Sequence, residues 1–273
     1  MRIRANGITF NCAIDGPEGA PWIMFSNSLA TNLSMWDPQV ADFEPSFRVL
    51  RYDQRGHGGT EAPAGRYTYP QLVADAVALL DALEIERTHF VGLSMGGATA
   101  LALAELHPNR VDHVVVCDSP CMSTPAGAQQ WEERIATARN GGMEALVDST
   151  LARWFPQETL AAKPAHVERV RAMILSTPVD GFIGGAAALS DHDYNAAVAT
   201  VTRPVLFIAG SKDTASRRQR CRTCRSALPA RAMWSSKPPG TFPISTGRRS
   251  LPARCGHSSA LSTSTRFAAR QGI

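Results

Sequence analysis

Residues 88–106 read THFVGLSMGGATALALAEL: a short apolar, β-branched run, then Gly92-Leu93-Ser94-Met95-Gly96, then a stretch of helical composition. A chain that passes from strand to helix within one residue must hold that residue in a strained backbone conformation. The neighbouring backbones then come so close that only glycine fits on either side. The segment therefore calls for a sheet with helices packed on it. It also places the Ser94 hydroxyl at the exposed tip of a turn, with the Met95 N–H at a helix N-terminus, where a negatively charged oxygen is favoured.

The rest of the first half repeats this alternation of short strands and amphipathic stretches, as a parallel sheet covered on both faces requires. Strands are expected at 8–14, 22–25, 48–52, 88–93, 111–117 and 205–209. Between 71 and 83, Leu72, Val73, Ala76, Val77, Leu80 and Leu83 recur at three- and four-residue spacing and predict a helix with one apolar stripe. From about 122 to 195 strand signals give way to helical spacing in WEERIATARN and HVERVRAMIL. The expected fold class is α/β, a mostly parallel, doubly wound sheet with a helical insertion. The expected organisation is a first core part over 1–121, a helical cap over 122–198, a return strand with its loop over 199–213, and a tail over 214–273.

The tail differs from the body. Of the 28 Lys and Arg residues, 12 lie in 214–273, together with none of the 24 Asp and Glu residues. The formal charge of +4 is thus an average over an acidic body and a basic tail, which argues against reading the whole chain as a nucleic-acid binder. The tail is rich in Arg, Ser, Thr and Pro, has no periodicity, and is expected not to pack or to supply a last strand and helix. The N-terminus MRIRANGITF lacks the apolar core of a signal peptide, and no run reaches membrane-span length, so a cytoplasmic location is expected. Cys12, Cys117 and Cys121 lie in or just after strand-like runs and read as small hydrophobes.

Ser94 is the expected nucleophile, with the Met95 N–H as one oxyanion donor and the Leu29 N–H, in the loop after strand 22–25, as the second. In this architecture the general base follows the nucleophile and the acid in the chain. His57, in YDQRGHG, therefore reads as part of a structural turn. Asp213, just beyond a buried strand, is the favoured acid, with Asp118 the runner-up. The one histidine after Asp213 is His257.

These features resemble the α/β-hydrolase superfamily, and most of residues 1–213 resemble the 3-oxoadipate enol-lactonases. The likeness is carried by SNSLATNLSMWDPQ, YDQRGHG, HFVGLSMGG, the cap stretch WEERIATARNGGMEALVDSTLARWF and ERVRAMIL. The resemblance implies hydrolysis of a small enol-lactone with a carboxymethyl arm, without metal or organic cofactor and without a nucleic-acid or membrane partner. It implies a triad of Ser94, Asp213 and a histidine. A substrate carboxylate would need a cation in the cap, for which Arg134 and Arg153 are candidates, with Trp131 and Trp154 beside them. The family's histidine is expected roughly thirty residues after the acid, whereas His257 lies 44 residues beyond Asp213. Together with the absence of acidic residues, this makes the tail after about Asp213 look like an out-of-frame reading of the family's C-terminus. Two alternatives stay open: another small-ester esterase or cofactor-free perhydrolase of this fold, and a non-catalytic binding protein with a displaced base.

Overall fold

The computed structural model describes residues 1–210 and the short strand Met233–Ser236. Asp213 and His257 lie outside the described residues. The strands are β1 (Arg2–Ala5), β2 (Ile8–Asp15), β3 (Trp22–Ser26), β4 (Arg48–Tyr52), β5 (Thr88–Leu93), β6 (Val111–Cys117), β7 (Val205–Gly210) and β8 (Met233–Ser236). They form one sheet in the order β1-β2-β4-β3-β5-β6-β7-β8. The pairs β1–β2 and β2–β4 are antiparallel; from β4 to β8 every neighbouring pair is parallel.

The chain steps outward from β3 to β4 and then returns across β3 to β5, so the winding reverses between β3 and β5. That reversal separates the loops leaving the carboxyl ends of these two strands and opens a crevice there, the usual place for a ligand in an open α/β sheet. The loop after β3 contains Leu29 and the turn after β5 contains Ser94.

Both faces of the sheet are covered. Met24 of β3 and Phe90 of β5 join one apolar cluster, while Ile23 and Phe25 of β3 and Val91 of β5 join another on the opposite face. The alternation of side chains along a strand produces this division. The first cluster packs against α2 (Tyr69–Ala82) and α3 (Met95–Leu106); the second packs under Trp36 and Phe43 of the segment between β3 and β4. In α2 the start is set by Thr68, whose side chain accepts the Gln71 N–H, and by Pro70 in the first turn. Of its expected stripe, Leu72, Val73, Ala76 and Leu80 are buried, and Leu79 joins them. β1 carries no signal that sequence pattern alone identifies; its four residues pair along β2 from Arg2↔Asn11 to Ala5↔Ile8.

Between β6 and β7 the chain forms α4 (Pro125–Gly141), α5 (Glu144–Trp154), α6 (Gln157–Ala162), α7 (Ala165–Ser176), α8 (Val179–Ser190) and α9 (Asn195–Thr200). The most buried is α8, in which every residue from Gly181 to Ser190 is buried. It packs against α4 on one side and against the loops at the carboxyl end of the sheet on another. No single described helix is long and apolar enough to cross a membrane.

Met233–Ser236 fall in the stretch expected to carry no strand, yet they pair in parallel with β7, from Phe207↔Met233 to Gly210↔Ser236. The physical reason is that the free edge of β7 presents unpaired backbone groups, and four extended residues of almost any composition can satisfy them. Cys12, Cys117 and Cys121 are all buried. Cys12 and Cys117 are free, and burial pushes the Cys12 thiol up to about 12.

Candidate active site

Ser94 has φ 52° and ψ −110°, well away from the strand before it and the helix after it. Its N–H donates to the Cys117 carbonyl at 2.9 Å and its carbonyl accepts the Ala98 N–H at 3.0 Å. These bonds anchor the turn to β6 on one side and to the first turn of α3 on the other. The flanking glycines are required by contact: a Cβ on Gly92 would lie 2.0 Å from the Gly96 carbonyl oxygen, and a Cβ on Gly96 would lie 2.1 Å from the Ser26 carbonyl oxygen. Both obstacles are backbone, which cannot swing away. The second contact also presses the Ser94 turn against the end of β3, beside the loop that carries Leu29.

That loop is held by side chains more than by secondary structure. Asn27 Nδ2 donates to the Thr31 carbonyl at 2.7 Å, and the Thr31 hydroxyl donates to the Ser28 carbonyl at 2.8 Å. Gln54 Nε2 donates to the Asn27 carbonyl from below. Ala30 adopts φ 58°, a conformation that costs a non-glycine residue energy and persists only because these bonds constrain it. Leu29 is buried, as is Met95, the first residue of α3. A Cβ added to Gly185 of α8 would touch both, at 2.6 Å from Leu29 Cδ1 and 2.9 Å from Met95 Sδ. The two expected oxyanion residues therefore meet beneath one point of α8. As the first helical residue, Met95 has an N–H without an intrahelical acceptor.

The turn 53–59 supports this arrangement through buried polar groups whose roles the sequence does not reveal. Asp53 accepts the Leu33 N–H at 2.6 Å, and Arg55 pairs with Asp75 of α2 at 2.6 Å with side chains only 6% and 2% exposed. Asp75 also accepts from Asn6 Nδ2 at 2.6 Å. His57 is fully buried; its Nδ1 lies 2.9 Å from the Arg55 carbonyl, so that nitrogen carries the proton, while Nε2 has no partner among the described residues. Burial lowers its pKa. The signal that could have marked these residues is charge out of place, because Asp75 interrupts the apolar stripe of α2.

In α4 and α5 the guanidiniums of Arg134 and Arg153 lie over the Trp131 ring, at 5.6 and 5.4 Å from its centroid. Arg134 donates to the Thr150 hydroxyl, its Nε is buried without a partner, and no carboxylate of the described residues forms an ion pair with it. Burial and then the charge of Arg153 lower its pKa to about 10. A half-buried cation that no carboxylate of the described residues neutralises is a favourable seat for an anion. Trp154 is partly buried against the core. Among the described residues no group of three or more His, Cys, Asp and Glu side chains gathers as a metal site.

The model of the alpha/beta hydrolase fold family matches residues 21–246. Two enzymes of Acinetobacter baylyi, 3-oxoadipate enol-lactonase 1 and 3-oxoadipate enol-lactonase 2, are 38% and 35% identical to the chain, over 78% and 77% of it and 79% and 78% of their own lengths. The crystal structure of the enol-lactonase from Burkholderia xenovorans LB400 superposes with a TM-score of 0.83 at 38% identity, covering 86% of this chain and 91% of that one. With the sheet order, the strained Ser94 turn and these likenesses in agreement, the chain is a hydrolase of the alpha/beta hydrolase fold family.

Proposed function

We propose that this hydrolase acts on ester bonds and opens a small enol-lactone, converting 3-oxoadipate enol-lactone to 3-oxoadipate in protocatechuate breakdown. The observation that carries the reading is the strained Ser94 backbone, wedged by Gly92 and Gly96 against the loop of Leu29. The substrate class is supported by the 3-oxoadipate enol-lactonases that the chain resembles along more than three quarters of its length.

In this reading the Ser94 hydroxyl attacks the lactone carbonyl and a base takes its proton. The N–H groups of Leu29 and Met95 stabilise the oxyanion. The ring C–O bond then breaks, the leaving enol oxygen receives the proton, and the acyl group stays on Ser94 until water hydrolyses it. Asp213 is the acid that orients the base, and His257 is the one histidine placed after it in the chain. The helices between β6 and β7 form the cap, and Arg134, assisted by Arg153 and Trp131, binds the carboxymethyl arm of the substrate. That no carboxylate of the described residues pairs with Arg134 is the observation that favours an anionic substrate over a neutral ester.

The test pairs covalent labelling with turnover. A fluorophosphonate should modify Ser94, Ser94→Ala should abolish both labelling and lactone opening, and Arg134→Ala should raise KM for the lactone while leaving a neutral p-nitrophenyl ester unaffected. Equal losses on both substrates would favour a general small-ester esterase. Absence of labelling would mean that the chain binds without catalysing.

A further inference from the structure

We propose that Asp118 is a positioning residue that couples the Ser94 turn to the carboxyl end of β7. The inference rests on the role of Ser94 and Asp213 given above. Three consecutive residues at the end of β6 reach neighbours on both sides. The Cys117 carbonyl accepts the Ser94 N–H at 2.9 Å, and the Asp118 N–H donates to the Ile208 carbonyl at 2.9 Å. A Cβ on Gly97 would lie 2.7 Å from Ser119 Cβ, so this segment rests directly on the first turn of α3.

The side chain of Asp118 extends the connection. Backbone pairing between β6 and β7 ends at Cys117↔Ile208, two residues before β7 itself ends. Asp118 Oδ1 accepts the Gly210 N–H at 2.7 Å, so a carboxylate takes over where the ladder stops. A hydrogen bond to a charged acceptor is stronger than the neutral bond it replaces. Asp118 holds φ 41° to make it, a left-handed conformation uncommon outside glycine that requires support from its surroundings. Gly210 precedes Asp213 by three residues. The bond thus fixes Gly210, three residues before the proposed acid in the sequence, relative to a nucleophile tied to the adjacent residue, Cys117.

A positioning role and a role as triad acid make opposite demands on this carboxylate. Asparagine still offers an oxygen to the Gly210 N–H but carries no charge to stabilise a protonated base. The experiment compares the full chain with Asp118→Ala and Asp118→Asn, measuring amide hydrogen exchange at Gly210 and the rate at which a fluorophosphonate labels Ser94. We expect Asp118→Ala to speed Gly210 exchange and to slow labelling by about ten- to a hundred-fold, as small displacements of reacting groups do. Asp118→Asn should stay within about threefold of the parent in both. Unchanged Gly210 exchange in Asp118→Ala overturns the proposal. So does Asp118→Asn with exchange preserved and labelling lost, since Asp118 would then act through its charge. If the parent chain fails to label, the reading of Ser94 fails, and Gly210 exchange still decides whether the connection exists.

Discussion

The Asp53 carboxylate accepts the Leu33 N–H at 2.6 Å, joining the turn after β4 to the loop after β3 at the point where that loop becomes a helix. Its second oxygen accepts the Gly59 N–H and Asn11 Nδ2, each at 2.8 Å. One buried side chain therefore closes three segments around the proposed oxyanion site. Asp53→Ala takes the acceptor from three part-buried donors, which water reaches in part, and we expect a loss of about 1–3 kcal/mol in urea unfolding. A loss under about 1 kcal/mol would mean that water replaces the carboxylate freely.

Replacing Ser94 by glycine separates strain from chemistry. Glycine adopts the observed backbone angles without the Cβ penalty, so Ser94→Gly should stabilise the protein by about 1–2 kcal/mol while eliminating fluorophosphonate labelling. A lower melting temperature in Ser94→Gly would contradict the strain assigned to this residue.

Gly185 tests the contact of α8 with the two proposed oxyanion residues, Leu29 and Met95. Ala at this position meets Leu29 Cδ1 and Met95 Sδ, both ends of flexible side chains, whereas Val adds branches that meet both at once. We expect Gly185→Val to cost about 1–3 kcal/mol in stability from overpacking, and Gly185→Ala less. Ser94 labelling should slow further in Gly185→Val than a stability change alone produces if the N–H groups of Leu29 and Met95 are the oxyanion donors proposed above. Parent-like labelling in a folded Gly185→Val would separate α8 from the site.

The Arg55–Asp75 pair is buried on both sides, so removing one partner strands the other charge. Asp75→Ala should cost about 3–5 kcal/mol. Exposed pairs such as Arg87–Asp112 should each cost less than about 1 kcal/mol when broken. Chemical denaturation of the two alanine variants decides between these magnitudes, and equal costs would refute the distinction by burial.

Burial lowers the pKa of His57 and His192. Each is then neutral when folded but takes up a proton near pH 6.5 when unfolded. The unfolded chain binds more protons in that range, so stability is fully present above about pH 6.5 and falls as pH drops, by up to about 1.4 kcal/mol per pH unit for each histidine. His57→Gln should flatten the fall between about pH 6.5 and 5 by up to one proton's worth. An unchanged slope would show that His57 does not remain neutral in the fold.

Signals carried by consecutive residues are legible in the sequence. The β5–Ser94–α3 segment, the stripe of α2 and the strand at 205–209 are of this kind, because backbone sterics and side-chain periodicity act over a few neighbours. Which distant groups meet is not legible there. The Asp53–Leu33, Arg55–Asp75 and Asp118–Gly210 bonds span 20, 20 and 92 residues, and aspartates in loops and helices look alike until a fold brings a donor to them. β8 illustrates the same limit, since its pairing depends on an open edge of β7 rather than on its own composition. By itself the sequence determined a parallel α/β sheet and the place of Ser94 at a strand-to-helix turn, because both follow from short-range sterics and apolar periodicity. Only the tertiary structure decided what holds that turn against the Leu29 loop, because burial converts a few polar contacts, weak in water, into bonds that are expensive to lose.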